Sequence, residues 1–281
     1  MQDRRIGDVT VGEIGLGAMP MSIEGRPDQA RAVATIHAAL DAGVTLIDTA
    51  DAYHIGADEV GHNESLIATA LATYGGSTQG VLVATKGGHL RPGDGSWTVD
   101  GDPGYLKQAC EASLKRFGVE AIGLYQYHRP DPSVSYADSL GALRDLLDEG
   151  KIRMAGISNA NPEQIREAQR ILGAGLVSVQ NQFSPAFRSS EPELRLCHDL
   201  GLAFLPWSPL GGSSRAGGLG QQHTAFERVA LAHEVSPQRV CLAWMLAKPP
   251  VVVPLPGASR PETIRDSAAA GTLTLTADEL A

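Results

Sequence analysis

The apolar positions of the chain switch period repeatedly, and each switch marks an element boundary. Short apolar runs at 14–17, 44–48, 81–85, 122–127, 154–157, 176–180, 203–206 and 251–253 read as buried strands. Between them apolar residues fall three and four apart, as at Ala32, Val33, Ile36 and Leu40, which predicts a helix over 28–42. Further helices are predicted over 63–74, 103–117, 135–149, 161–171, 192–199, 225–233, 237–247 and 261–269. Their ends carry the matching punctuation. Asn63 and Asp102 are predicted N-caps, Pro103 and Pro162 occupy first helical positions where a missing N–H is harmless, and Gly43 and Gly118 stop the helices before them.

Eight strands alternating with helices, undivided by a linker, charge block or low-complexity tract, predict an α/β fold: one (β/α)8 TIM barrel domain over residues 1–281. Ahead of the first strand, 4–6 and 9–11 flank Gly7 and Asp8 as a short N-terminal β-hairpin, predicted to cover one end of the barrel. Two connections are too long to be turns, 87–102 after the third strand and 211–224 after the seventh. Both leave the same rim. Trp97, set among Gly and Asp in the first of them, is either an apolar wall for a substrate or an anchor packing its own loop.

Composition narrows the class of function. A formal net charge of −9 argues against a general nucleic-acid binder or a basic membrane-surface protein, yet leaves room for an anionic cofactor held by a local Arg and backbone N–H groups. Cys110, Cys197 and Cys241 are odd in number, far apart and outside any CxxC pair, which predicts a reducing, cytoplasmic setting. The opening MQDRRIGDVT has no signal-peptide character, and no apolar run approaches the roughly 18 residues that span a bilayer. The expectation is a monomer or weak homo-oligomer acting on a small molecule, without nucleic acid or membrane as partner.

The strand ends carry the candidate chemistry. Asp48 with Tyr53, then Lys86, then His128 follow successive strands at intervals of about one βα unit, so a barrel would gather them at one rim. Taken singly, Tyr53 could be packing, Lys86 a surface charge and His128 a loop residue. Together they form a proton-transfer set with no strong nucleophile and no metal-ligand cluster. A free phenol, with a pKa of about 10, is a sluggish acid at neutral pH; Lys86 beside it is predicted to lower that value, with Asp48 holding the ammonium in place. Tyr53 then serves as general acid, and His128 either orients the reacting carbonyl or alcohol oxygen or assists the proton relay.

The stretches DTADAYHIGADEVGHNE (48–64), VLVATKGG (81–88), LYQYHRPD (124–131), GKIRMAGISN (150–159), VQNQFSP (179–185) and WSPLGG (207–212) resemble, in order, blocks of the aldo-keto reductase superfamily. The resemblance spans nearly the whole chain. It implies a βα barrel that binds NADPH without a Rossmann fold and passes hydride from the nicotinamide to a carbonyl carbon while the tyrosine protonates the oxygen. By the same resemblance Asp48, Tyr53, Lys86 and His128 form a tetrad, and Ser158, Asn159 and Gln180 clamp the nicotinamide carboxamide. Trp207 stacks on the nicotinamide, Ser208, Pro209, Leu210, Gly211 and Gly212 follow the pyrophosphate, and Gly17, Ala18 and Met19 join the cofactor pocket.

PLPGASRPETIRDS (254–267) resembles the block for the 2′-phosphate and adenine, which assigns Gly257, Ser259, Arg260, Thr263, Asp266 and Ser267 to that end. A helix start there suits phosphate. Thr263 replaces an Arg or Gln often found at its place, and Asp266-Ser267 replaces Glu-Asn, so preference for NADP over NAD falls to Arg260 or Arg265. The substrate is expected against Met21, His54 and Trp97, with Tyr53 and His128 at the reacting oxygen. TLTADELA follows soon after the last helix where relatives continue into a covering tail, which implies an open pocket or help from a neighbouring subunit. The expected activity is NADPH-dependent reduction of an aldehyde or ketone to the alcohol. The alternatives are a non-catalytic NADPH-binding regulatory subunit of the same fold, and a Schiff-base aldolase using Lys86, against which the adjacent Asp48 argues.

Overall fold

The computed structural model describes residues 3–212 and 214–280. The chain opens on an antiparallel hairpin, β1 (Asp3–Ile6) against β2 (Val9–Gly12), turned by Gly7 in the left-handed region. Parallel strands follow: β3 (Leu16–Gly17), β4 (Leu46–Asp48) and β5 (Leu82–Gly87), then β8 (Ile122–Tyr127), β9 (Ile152–Ser158), β10 (Leu176–Gln180) and β11 (Ala203–Phe204). They form one seven-stranded sheet in sequence order, from β3 at one edge to β11 at the other. Two short strands, β6 (His89–Leu90) and β7 (Thr98–Val99), make a separate hairpin inside the long loop after β5.

The eighth predicted strand joins through isolated bridges. Val252 lies opposite Phe204, Leu255 opposite Trp207, and Gly257 opposite Gly17. Phe204 N donates to Val251 O at 2.8 Å, and Gly15 N and Gly17 N donate to Pro254 O and Pro256 O, both at 3.0 Å. Residues 251–257 thus tie β11 back to β3 and close a (β/α)8 barrel. A continuous ladder is impossible there because Pro254 and Pro256 have no N–H to give.

The helices run as α1 (Gln29–Asp41), α2 (His62–Thr73), α3 (Pro103–Phe117), α4 (Tyr136–Asp148), α5 (Pro162–Leu172), α6 (Glu191–Leu200), α7 (Leu219–Gln222), α8 (Thr224–His233), α9 (Pro237–Leu246), α10 (Pro261–Ala268) and α11 (Ala277–Leu280). Asp102 caps α3 by accepting from Tyr105 N at 3.0 Å, and Asn161 closes a capping box with Gln164 on α5. Asn63 does not cap α2. That helix starts one residue earlier, behind Gly61 in the left-handed region, and the Asn63 side chain is buried, bonding Thr49, Ser22 and the Ala18 carbonyl. A left-handed turn that only Gly adopts freely has displaced the polar cap. Of the second long loop, Ser213 lies outside the described residues; Ala216–Gly218 is a 3-10 turn leading into α7. No helix among the described residues is long and apolar enough to cross a membrane.

Period-two alternation decides what lies inside. Leu46, Leu82, Ala84, Leu124, Met154, Val253 and Leu255 pack together with Ile6 and Val11 of the hairpin, which therefore plugs the barrel at the strands' amino ends. The same inward rows become polar at the carboxyl ends, at Asp48, Lys86 and His128. The opposite rows of β8 and β9, including Tyr125, Tyr127, Ala155 and Ile157, pack with Leu106, Leu140 and Leu143 of α3 and α4.

Candidate active site

Lys86 is the hub of the polar rim. Its fully buried ammonium donates to Asp48 Oδ1 at 2.6 Å, to the Thr49 carbonyl at 2.7 Å and to Tyr53 Oη at 3.1 Å. Two amides hold the other Asp48 oxygen: Gln180 Nε2 donates to Oδ2 at 2.7 Å and Gln126 Nε2 at 3.3 Å. Gly156 makes room for Gln126, since a Cβ there would lie 2.8 Å from Gln126 Cγ. The ring of His128 stands edge-on to Tyr53, with centroids 5.7 Å apart. Four strands, β4, β5, β8 and β10, and the loop after β4 thus converge on one acid–base cluster.

The electrostatics differ from the sequence expectation in one respect. Burial pushes the Tyr53 phenol above its ordinary range and outweighs Lys86, which pulls it down; Asp48 adds to the upward push. Burial also works against the Lys86 charge, but Asp48 and Tyr53 overcome it, so the ammonium keeps its proton more firmly than a free lysine. Burial, then Lys86, His89 and Arg129, hold the His128 imidazole well below the ordinary histidine range. At neutral pH the cluster therefore presents a protonated phenol, a charged lysine and a neutral imidazole.

A cavity of about 690 Å³ runs outward from this cluster. Asp48, Tyr53 and Gln180 line its inner end, Trp207, Ser208, Pro209 and Leu210 its flank, and Ser259, Arg260, Thr263, Asp266 and Ser267 its outer end at α10. Gly17, Met19 and Gly257 also form its walls. A Cβ on Gly17 would lie 3.0 Å from the Leu255 carbonyl, and one on Gly257 2.9 Å from Pro20 Cγ, so both glycines keep the passage open. The Trp207 Nε1 is buried without a hydrogen-bond partner among the described residues. Ser208, at φ +50°, and Gly211 and Gly212, at φ +86° and +94°, turn their backbone as few L-residues do. Arg260 stands at the N-cap of α10 with no side chain capping the first-turn N–H groups.

The chain's similarity to known proteins agrees with this geometry. The model of the aldo/keto reductase family matches residues 13–281. The chain belongs to that family. This aldo/keto reductase is 33% identical over 281 residues to an uncharacterized oxidoreductase of Schizosaccharomyces pombe, a match covering 99% of the chain and 87% of that relative. It is 34% identical over 275 residues to a 6-dehydroglucose reductase of Novosphingobium aromaticivorans, covering 93% of the chain and 87% of the relative. Among solved structures, an aldo/keto reductase from Klebsiella pneumoniae in complex with NADP and acetate superposes with a TM-score of 0.82 at 27% identity, over 99% of this chain and 92% of that one.

Several anticipated site residues of this aldo/keto reductase stand outside the cavity wall. Ser158 Oγ donates to the Gln180 carbonyl at 2.8 Å, and Asn159, at φ +57°, donates to the His128 carbonyl at 3.1 Å, so both brace the rim from behind. Ala18 is fully buried, and Gly211 lies beside the wall that Gly212 completes. Met21 lines a separate cleft between the loop after β3 and α2. His54 is buried, with Nδ1 against the Gly56 carbonyl. Trp97 stacks on His89 at 4.7 Å, and His89 stands edge-on to His128 at 4.8 Å, so Trp97 both packs its loop and stays 38% exposed two rings from His128. Asp266 lines the outer end but is ion-paired to Arg239 of α9 at 2.6 Å. Sequence reasoning missed Gln126, Pro20, Leu255 and Gln238. Gln126 was accessible as the polar member of an inward row between Leu124 and His128; Gln238 comes from α9, whose approach to the cavity has no local signal.

Proposed function

We propose that this aldo/keto reductase reduces a small aldehyde or ketone to the alcohol, with NADPH as hydride source and Tyr53 as proton donor. The contact that carries this reading is the 3.1 Å bond from Lys86 Nζ to Tyr53 Oη, backed by Asp48 and lying at the inner end of a long cavity. The residues present fit a dinucleotide. An unpartnered Trp207 wall, a glycine-kept passage, the turned backbone at 208–212 and an uncapped helix start beside Arg260 suit, in order, an aromatic ring, a ribose, a pyrophosphate and a terminal phosphate. The NADP bound in the Klebsiella pneumoniae structure supports the same cofactor class.

When bound, NADPH supplies the hydride. The chain's own residues manage the proton and the oxygen. Tyr53, kept protonated by burial, gives its proton to the developing alkoxide. Lys86 stabilises the phenolate left behind and is itself held by Asp48 and Thr49. His128, neutral, hydrogen-bonds the carbonyl oxygen without competing as an acid. The 6-dehydroglucose reductase relative supports carbonyl reduction as the reaction class.

The direct test is NADPH consumption with glyceraldehyde, benzaldehyde and 4-nitrobenzaldehyde. Carbonyl-dependent oxidation is the expected result; NADPH binding with no turnover on any of them would overturn the reading. Two side chains can be tested on the cofactor alone. NADPH should quench tryptophan emission, and Trp207→Phe should remove that quench while Trp97 and Trp244 still fluoresce; quenching that survives the substitution refutes stacking. Arg260→Ala should raise the KM for NADPH about tenfold and leave that for NADH nearly unchanged, since only the former has a 2′-phosphate to pair. Equal losses for both cofactors would remove Arg260 from the phosphate site.

A further inference from the structure

Beside the acid–base cluster lies a second buried carboxyl that the chemistry above does not use. Asp51 follows β4 within the same loop as Tyr53; its N–H donates to the Lys86 carbonyl at 3.4 Å, and its carbonyl accepts from Gly61 N at 2.8 Å. The residue is 3% exposed, and its Oδ1 is buried with no hydrogen-bond partner among the described residues. Tyr105 of α3 hydrogen-bonds the Asp51 carboxyl, and the groups that share its field are Glu64 of α2, Arg116 of α3, Tyr125 of β8, Lys86 of β5 and Tyr53 of its own loop.

The charges do not balance if Asp51 is ionised. Arg116 is committed to Glu64 at 2.7 Å, a carboxylate that also accepts from Thr85 at 2.5 Å. Lys86 is committed to Asp48 at 2.6 Å. Asp51 is left without a counter-ion in a water-excluded site, and a carboxyl so placed holds a proton. Burial, then the Glu64 charge, push it up to about 8, against smaller opposing pulls from Arg116, the Ala52 amide and Lys86.

We propose that Asp51 is a positioning residue for the Tyr53 proton: as a neutral acid it leaves the field of Lys86 on the phenol intact, and once ionised it opposes that field and keeps the phenol protonated. The proton it releases goes to solvent. Reduction consumes the phenol and oxidation of an alcohol needs the phenolate, so ionised Asp51 damps the oxidative direction in the alkaline range and spares the reductive one. The inference rests on Tyr53 as the acid.

Asp51→Asn fixes the site in its neutral form. With NADP+ and benzyl alcohol as the probe, the variant and the unsubstituted enzyme should oxidise at similar rates at about pH 6.5. The ratio of variant to unsubstituted rate should climb about threefold to tenfold by about pH 9, because the variant lacks the carboxylate charge that raises the phenol. A ratio that stays constant with pH, at any value, overturns the role. A measurement on the unsubstituted protein needs neither a folded variant nor turnover: infrared titration should show a neutral carboxylic-acid C=O band at neutral pH that disappears through about 8. Absence of that band at neutral pH also overturns it. Tyr53→Phe separates the two assignments. If that variant still oxidises the alcohol, the acid itself is misassigned; if it is inactive while the Asp51→Asn ratio is flat, only the role of Asp51 falls.

Discussion

Tyr53→Phe is expected to cut kcat for carbonyl reduction by about 10²–10⁴-fold, the range that a positioned acid contributes, while NADPH affinity changes little. The substitution removes one oxygen and keeps the ring, so the edge-on contact with His128 survives. Lys86 loses its bond to Tyr53 Oη but retains Asp48 and Thr49, so its charge remains compensated. What disappears is the proton the developing alkoxide would take. His128 cannot replace it, because burial beside Lys86, His89 and Arg129 keeps that imidazole uncharged at neutral pH. The pH dependence carries the sign of the same assignment. With Tyr53 pushed above its ordinary range, reduction by the unsubstituted enzyme should show no loss from phenol ionisation between about pH 6 and 9. Substantial turnover in Tyr53→Phe, measured by stopped-flow or steady-state NADPH absorbance, would transfer the acid role elsewhere.

The features readable from residue order were those that local physics controls. Apolar periodicity and cap chemistry located the strands and most helix starts, because both act within a few residues. Asn63 was misread for the same reason: Ser, Thr and Asn signal caps locally, whereas its partners Ala18, Ser22 and Thr49 are brought to it only by the closed barrel. Residues 251–257 were recognisable as a strand from Val251–Val253, but the spacing of Pro254 and Pro256 already limited them to bridges. The tetrad was legible because barrel geometry turns strand ends into neighbours. Its electrostatics were not. That Lys86 lies beside Tyr53 could be anticipated, yet the phenol moves upward because burial exceeds the pull of the ammonium, and burial is a property of the whole fold. Met21, four residues past β3, faces a different cleft through the single 3-10 turn of Met19–Met21, which no periodicity argument anticipates.

The Lys86–Asp48 pair is where removing a single group should do the most damage to the folded state. The ammonium is fully buried and the carboxylate nearly so. Lys86→Met keeps most of the stem's volume but leaves Asp48 as a buried charge held only by neutral amides, Gln180 at 2.7 Å and Gln126 at 3.3 Å. Stranding one partner of a buried pair costs about 3–5 kcal/mol, because its desolvation is no longer repaid by a counter-ion. Asp48→Asn alone should cost less, since Lys86 keeps the Thr49 carbonyl and an amide oxygen to bond. The double variant should then recover much of the loss of Lys86→Met, because neither member is left charged. A urea-denaturation cycle over the four proteins measures this, and the expected coupling is about 2 kcal/mol or more. Additive losses within about 0.5 kcal/mol would mean the two groups are not an ion pair in the folded protein. Turnover separates stability from chemistry: the double variant, though refolded, should stay as impaired as Lys86→Met, because the phenolate left by proton donation then has no cation beside it.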